Sequence, residues 1–157
     1  MRSKLYLETT IFSYLAARPS RDLIVAAHQQ LTHDWWSGHR EEFELYASEL
    51  VQQEVAAGDP SAAARRLGFL VGSKLLATND EALSLAEELI RREAVPQKAA
   101  EDAGHIAIAT INGMDYMLTW NCKHIANARL QKAIRAVCAD RGFEMPVICT
   151  PEELIGG

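Results

Sequence analysis

A helical segment, a tight turn and a short apolar run follow one another near the middle of the chain and restrict the possible folds most. Residues 101–111 are rich in alanine and other small side chains, against which another element can pack closely. The helix is predicted to stop at Asn112-Gly113, a pair that tolerates positive φ. The apolar run Tyr116-Met117-Leu118 is too short for a helix, so we predict a strand buried on both faces.

The same alternation of short apolar runs and helical patterns continues along the sequence. Strands are predicted at residues 4–7, 43–47, 116–119 and 146–149, with Leu75-Leu76 as a short buried connection. Helices are predicted at residues 11–17, 22–38, 48–57, 62–71, 81–94, around Asp102 and at 124–141, with a terminal turn opening at Thr150. Strands that alternate with helices pair in parallel through right-handed crossovers. We therefore predict an α/β fold, a three-layer α/β/α sandwich with a mostly parallel central sheet, in one domain spanning residues 1–157.

Apolar stripes predict the buried faces of two of these helices. The stripe of the helix at 22–38 includes Leu23, Ala26, Ala27 and Leu31, and that of the helix at 81–94 includes Leu83, Ala86, Leu89 and Ile90. Trp35 and Trp36 are predicted to be packing residues, either inside this domain or at a subunit contact.

The composition narrows the class of protein. The chain of 157 residues has a net charge of -5 and three cysteines without a Cys-x-x-Cys pair. Reduced thiols, and an acid at Glu8 that comes too soon for a signal peptide, predict a cytoplasmic protein without a membrane span. The histidines lack zinc-site spacing, and no glycine-rich phosphate loop follows the first strand. A negative net charge disfavours nucleic-acid binding over the whole protein surface.

Four polar side chains are predicted to converge at the carboxyl edge of the sheet. Glu8 ends the first strand and Asn121 follows the strand at 116–119. Asp102 begins the helix before that strand, and Glu54 lies on the helix after the second strand. Ligands of open α/β sheets bind at this edge, and such a set of oxygen ligands suits Mg²⁺ or Mn²⁺. Each acid also has a simpler explanation, since helix first turns and solvated helix faces commonly carry carboxylates.

Four short motifs spanning nearly the whole chain resemble those of one known family. They are Leu5-Tyr6-Leu7-Glu8-Thr9-Thr10, Ser48-x-x-Val51-x-x-Glu54-Val55, Asp102-Ala103-x-His105-Ile106-Ala107-x-Ala109 and Thr119-Trp120-Asn121-x-Lys123-His124. This pattern resembles the PIN-domain family of metal-dependent ribonucleases, and within it the VapC-type toxins of bacterial toxin-antitoxin pairs. The resemblance implies hydrolysis of RNA phosphodiester bonds with Mg²⁺ or Mn²⁺, a homodimer, and a small antitoxin protein as partner.

The resemblance also implies roles for individual residues. The catalytic positions of the family fall on Glu8, Glu54, Asp102 and Asn121, and its metal ligands on the three acids among them. The hydroxyl beside the first acid falls on Thr9 or Thr10, and Thr119 adjoins the fourth position. The first acid is usually aspartate, and Asn121 offers only a neutral oxygen or a hydrogen bond to water, so we expect weaker metal affinity than in an all-aspartate site.

Several cations are candidates for contact with substrate phosphates. Arg18 and Arg21 follow Glu8 in the chain, and Lys123 flanks Asn121. Exposed loop charges, or contacts with an acidic partner, are the alternative interpretation of these residues. A further basic series lies along one side of the last long helix, either solvated or facing RNA, and consists of Arg129, Lys132 and Arg135.

Two other hypotheses remain open at this stage. One is a degenerate PIN-like module that binds RNA or protein without nuclease activity, for which Glu8 and Asn121 are the best support. Retention of both Glu54 and Asp102 argues against it, because neighbouring carboxylates repel unless a cation is present. The other is a plain structural domain, for which Asp102→Ala would leave metal binding unchanged and cost about 1 kcal/mol at the helix terminus.

Overall fold

A parallel sheet forms the centre of the computed structural model, which describes residues 1–155. Within these residues the five strands are β1 (Ser3–Leu7), β2 (Phe43–Ser48), β3 (Lys74–Leu76), β4 (Tyr116–Leu118) and β5 (Val147–Cys149). Their order across the sheet is β3-β2-β1-β4-β5, and every neighbouring pair is parallel. The predicted α/β fold is therefore confirmed. Residues 156 and 157, which the predicted domain includes, lie outside the described part.

Helices connect all the strands. They are α1 (Thr9–Ala16), α2 (Leu23–His39), α3 (Glu49–Val55), α4 (Pro60–Leu70), α5 (Asp80–Arg91), α6 (Ala100–Ile111), α7 (Ala128–Asp140) and α8 (Pro151–Ile155). Helix α1 packs on α2, α3 and α4, whereas α5 packs on α6 and α7. Right-handed crossovers that run first toward β3 and then back toward β5 place these two groups over opposite faces of the sheet.

The centre of the sheet is the most buried part of the protein. Leu5, Tyr6 and Leu7 of β1 are each 0% exposed, because β1 pairs on both edges and is covered on both faces. Trp35 is also fully buried and packs against Trp36 and Phe43, which confirms the predicted packing role. No helix within residues 1–155 combines the length and the apolar character needed to span a membrane.

Local signals predicted several helix ends correctly. Ser48 caps α3 by accepting a hydrogen bond from Val51 N at 3.1 Å. Asp59 caps α4 from the position before Pro60, where the missing N–H of proline is not needed. At the start of α8, Glu153 Oε2 accepts from the backbone N–H of Thr150 at 2.7 Å and from its hydroxyl at 3.2 Å, so the Glu153 half of the predicted capping box forms.

The predicted helix at 124–141 was wrong at its beginning. Helix α7 starts only at Ala128, after Asn127 caps it by accepting from Arg129 N. The preceding residues instead form a turn, in which the backbone oxygen of Asn121 accepts from the N–H groups of Ile125 and Ala126. The polar residues after β4 therefore form a hydrogen-bonded turn, and the helix begins only after this turn.

Two apolar features of the sequence were also assigned incorrectly. Leu75 and its neighbour belong to the edge strand β3, and Leu75 is 44% exposed rather than part of a buried connection. On α5, Leu83 is 50% exposed, and the buried stripe consists of Ala82, Leu85, Ala86 and Leu89.

The buried face of α2 was predicted wrongly for a different reason. Leu23 is 87% exposed at the first turn, whereas Gln29, Thr32 and Trp35 are buried. Gln29 can be buried because it bonds the backbone of the α1–α2 loop, and Thr32 because it accepts from Trp120 Nε1 at 2.7 Å. Tertiary hydrogen bonds thus allow polar side chains to occupy the inner face of this helix.

Candidate functional site

The site lies where the strand order of the sheet reverses. Chain connections run from β1 outward to β2 and β3, and then return to β4 on the other side of β1. Glu8 directly follows β1 and donates its backbone N–H to Leu118 O of β4 at 3.0 Å. The carboxyl ends of these two neighbouring strands form the crevice in which open α/β sheets bind ligands.

Glu8 is a buried carboxylate held by one of its two oxygens. The residue is only 4% exposed. Oε1 accepts from Thr119 Oγ1 at 2.6 Å, from Thr10 Oγ1 at 2.5 Å and from Thr10 N at 3.1 Å, and the last bond caps α1. Oε2 accepts from no donor in the described part of the chain. The hydroxyl groups therefore fix the carboxylate and leave one oxygen available to a ligand.

Thr10 and Thr9 serve different carboxylates. The sequence left open which of the two supports the first acid, and Thr10 is the one that contacts Glu8. The Thr9 hydroxyl instead donates to Glu54 Oε1 across a separation of 45 residues. Successive residues at the start of α1 thus orient two acids that come from different elements.

Glu54 reaches this edge from α3 and is held by a second group of donors. His105 Nε2 contacts Glu54 Oε1 at 2.7 Å, on the same oxygen as Thr9. Burial acts to raise the pKa of Glu54, but the hydrogen bond and charge of His105, together with Glu101 and Thr9, lower that pKa to about 2. Glu54 is therefore ionised at neutral pH.

Glu101 is a further carboxylate beside Glu54. A side-chain hydrogen bond with Glu54 and the negative charge of Glu54 raise the pKa of Glu101 above its ordinary value. Neighbouring carboxyl groups repel when both are ionised, unless a cation lies between them. Sequence reasoning did not select Glu101, because an exposed acid in the first turn of a helix is common.

Asp102 and Asn121 are brought to the same edge, but their side chains contact the loop after β4. Asp102 Oδ2 accepts from His124 Nδ1 at 3.1 Å. Asn121 Oδ1 accepts from His124 N at 3.0 Å, and Asn121 N donates to Thr119 Oγ1 at 2.9 Å. The amide oxygen of Asn121 thus stabilises the turn that replaces the first part of the predicted helix.

The predicted substrate cations are exposed and differ in their distance from the acids. Lys123 lies on the turn after Asn121. Arg18 and Arg21 lie in the loop after α1, whose first residue is Thr9. Because α1 has eight residues, this loop is roughly 12 Å from Thr9 along the helix. The arginines and the carboxylates therefore occupy opposite ends of α1.

Comparison of the structure with solved proteins gives its fold relatives. VapC20 of Mycobacterium tuberculosis, described as a sarcin-ricin loop cleaving toxin, is 12% identical with a TM-score of 0.61 over 83% of this chain and 95% of that chain. VapBC2 of Rickettsia felis, solved with a DNA fragment from its promoter, is 14% identical with a TM-score of 0.56 over 93% and 97%. The chain has a VapC-like fold. No family model and no curated protein sequence matches it.

The residues of this site fit a hard divalent cation in chemistry. Glu8, Glu54 and Asp102 supply carboxylate oxygens, the ligand type that Mg²⁺ and Mn²⁺ prefer. Within residues 1–155, however, no three His, Cys, Asp or Glu side chains are already grouped as a metal site. In this structure the Asp102 carboxylate contacts His124, whereas Glu8 and Glu54 are oriented by threonine and histidine side chains.

Sequence reasoning missed the buried side chains that support this site. His105 is 1% exposed and bonds Glu54, and its Nδ1 contacts Tyr6 Oη at 2.8 Å. Both residues are present in the motifs quoted above, and a histidine three positions after Asp102 on one helix was the available signal. Gly104 lets α6 lie close to α3, since a Cβ at this position would be only 3.1 Å from Leu50 Cδ2.

The low pKa of Glu54 predicts a specific dependence of stability on pH. A carboxyl whose folded pKa is about 2 stabilises the fold above its ordinary value of 4.5, and this contribution is lost as pH falls toward 2. We expect the difference in unfolding free energy between wild type and Glu54→Gln, measured by urea titration, to shrink as the pH is lowered from 5 to about 2.5. Glu49→Gln, an exposed acid on the same helix, is the control, and a difference independent of pH would contradict the prediction.

Proposed function

We propose that this VapC-like protein is a divalent-metal-dependent endoribonuclease and the toxin of a toxin-antitoxin pair. The observation that carries the proposal is Glu8, a carboxylate 4% exposed at the switch point of the sheet. Ionisable side chains are rarely buried unless they are paired or bind an ion. Glu8 has no cationic partner within residues 1–155, and Oε2 accepts no hydrogen bond there.

In the proposed mechanism the three acids hold Mg²⁺ or Mn²⁺ and the neighbouring groups orient them. A bound ion would lower the pKa of water and stabilise the charge that develops on the phosphoryl group. Thr10 and Thr119 keep Glu8 in one orientation, while Thr9 and His105 keep Glu54 in another. The carboxylates bind and orient, and form no covalent bond to the substrate.

The exposed cations suit different parts of an RNA strand. Lys123 is exposed on the same turn as Asn121, and we assign to it a phosphate beside the scissile bond. Arg18 and Arg21, at the far end of α1, suit a phosphate further along the strand. Asn121 has its amide oxygen engaged with His124 N, so its side-chain N–H₂ group is the part available to water or substrate.

We extend the proposal to the partners and compartment of the protein. The VapBC2 structure, which shares this fold, supports a cognate antitoxin for this chain as well. A homodimer, an RNA substrate and a cytoplasmic location complete the proposal. Free Cys122, Cys138 and Cys149 are consistent with a reducing compartment.

A degenerate binding module is the second candidate function. It is favoured by the contacts that these side chains already make with other protein groups. Glu54 contacts His105, Asp102 contacts His124, and Asn121 closes a turn. Such a protein would bind RNA or a partner protein through the same edge without cleaving a phosphodiester bond.

Cleavage of an end-labelled RNA pool by the purified protein tests the proposal. We expect cleavage with Mg²⁺ or Mn²⁺ and none when a chelator is present, because the carboxylates then lack the cation they hold. Restoration of cleavage by excess Mn²⁺ after chelation controls for damage to the protein. An inert protein that nevertheless retains RNA in a gel-shift assay would overturn the nuclease and favour the binding module.

A further inference from the structure

A buried chain of hydrogen bonds leads from the core of the protein to Glu54. Val51 N donates to Ser48 Oγ at 3.1 Å, and Ser48 Oγ contacts Tyr6 Oη at 2.8 Å. Tyr6 Oη contacts His105 Nδ1 at 2.8 Å, and His105 Nε2 contacts Glu54 Oε1 at 2.7 Å. Tyr6 and Ser48 are 0% exposed, so water cannot substitute for these contacts without rearrangement.

The donors and acceptors of this series of hydrogen bonds are all satisfied when each hydroxyl donates toward His105. Ser48 Oγ accepts from Val51 N, so the single proton of its hydroxyl is available to Tyr6 Oη. The Tyr6 hydroxyl can then donate to His105 Nδ1, which leaves the proton of a neutral imidazole on Nε2. Burial raises the pKa of Tyr6, and Glu8 and Glu54 raise it further, so Tyr6 keeps its proton as this direction requires.

The opposite tautomer of His105 does not fit. A proton on Nδ1 alone would turn a bare Nε2 toward Glu54 Oε1 at 2.7 Å, and two acceptors at that distance repel. It would also force Tyr6 to donate to Ser48, leaving the Ser48 proton without an acceptor in the described residues. The contact with Tyr6 therefore determines which nitrogen of His105 faces the carboxylate.

We propose that Tyr6 and His105 are positioning residues that fix the Glu54 carboxylate for a divalent cation. His105 and Thr9 both contact Oε1, so two groups from different elements fix the plane of the carboxylate on its inner side, and Glu101 lies beside it. The orientation of Oε2 is thereby set from the protein interior before a cation arrives. This inference rests on the proposed function, because it assigns a role to groups behind the proposed metal ligand.

Two substitutions at His105 distinguish the role of Nε2 from that of Nδ1. In His105→Gln the side-chain amide nitrogen can occupy the position of Nε2 and donate to Glu54, whereas in His105→Asn the shorter amide reaches only the position of Nδ1. We expect His105→Asn to weaken Mn²⁺ binding about 10- to 100-fold and His105→Gln about threefold or less, because outer groups that orient a ligand have effects of that order. His33→Asn, on the exposed face of α2, is the matched control and should bind Mn²⁺ like wild type.

The tautomer itself is measurable without metal. In the ¹⁵N-histidine NMR spectrum of the metal-free protein, the neutral form of His105 should have a protonated Nε2 and an unprotonated Nδ1. Tyr6→Phe removes only the hydroxyl, so it should shift His105 toward a mixture of tautomers and weaken Mn²⁺ binding in the same direction as His105→Asn. Circular dichroism of each variant checks that the fold is retained.

Mn²⁺ titrations followed by electron paramagnetic resonance decide between the outcomes. Loss of affinity in His105→Asn with retention in His105→Gln supports the inference. Equal affinities in the two variants, a proton on Nδ1 of the neutral imidazole in wild type, or no Mn²⁺ binding by wild type would each overturn it. A wild type that binds Mn²⁺ with this variant pattern but cleaves no RNA would overturn the proposed nuclease and leave the positioning role intact.

Discussion

Asp102→Asn is expected to lower the rate of RNA cleavage about 100-fold or more, because it removes a charged metal ligand while keeping the shape of the side chain. Asparagine can still accept a hydrogen bond from His124, which Asp102 contacts at 3.1 Å. The helix terminus also keeps its polar group, so we expect the free energy of unfolding to change by about 1 kcal/mol or less. Cleavage under saturating Mg²⁺ and urea unfolding would be measured on the same preparation.

Asp80→Asn is the matched control for this experiment. Asp80 also lies in the first turn of a helix, α5, but it is exposed and distant in sequence from the motif residues. The same loss of charge near a helix N-terminus should therefore leave cleavage unchanged. A plain structural domain predicts that the two variants differ from wild type only in stability, and equal cleavage by both would reject a catalytic role for Asp102.

Glu8→Ala is expected to abolish cleavage and also to destabilise the protein by about 1–3 kcal/mol. The alanine leaves the hydroxyls of Thr10 and Thr119 and the N–H of Thr10 without their acceptor, and it removes the cap of α1. Glu8→Gln keeps an acceptor at Oε1 but loses the charge. We therefore expect Glu8→Gln to cleave RNA about 100-fold more slowly than wild type or worse, with less than about 1 kcal/mol of lost stability.

The two Glu8 variants distinguish a structural role of this carboxylate, as a hydrogen-bond acceptor and helix cap, from a role as a metal ligand. Asp59→Ala, which removes the carboxylate cap of α4 at an exposed position, should cost stability without affecting cleavage. If Glu8→Gln cleaved RNA as fast as wild type, the buried carboxylate would be a structural cap rather than a metal ligand. If both Glu8 variants were equally destabilised, the hydrogen bonds to Oε1 would not account for the burial of Glu8.

The sequence by itself determined the class of fold and the starts of several helices. Short apolar runs that alternate with helical patterns predicted the parallel sheet, because side-chain periodicity is a property of neighbouring residues. Ser48, Asp59 and Thr150 marked helix starts for the same reason, since a cap contacts backbone groups two or three positions away. The carboxyl-end position of Glu8 likewise followed from the end of an apolar run.

Only the tertiary structure decided which side chains act together at the site. Thr9 serves Glu54 and Thr10 serves Glu8, although the two threonines are adjacent in the chain. Tyr6 contacts His105 across 99 residues, and this contact sets the nitrogen that faces Glu54. The edge position of β3 and the polar inner face of α2 were decided in the same way. Each depends on partners supplied by distant segments, and local periodicity carries no information about such partners.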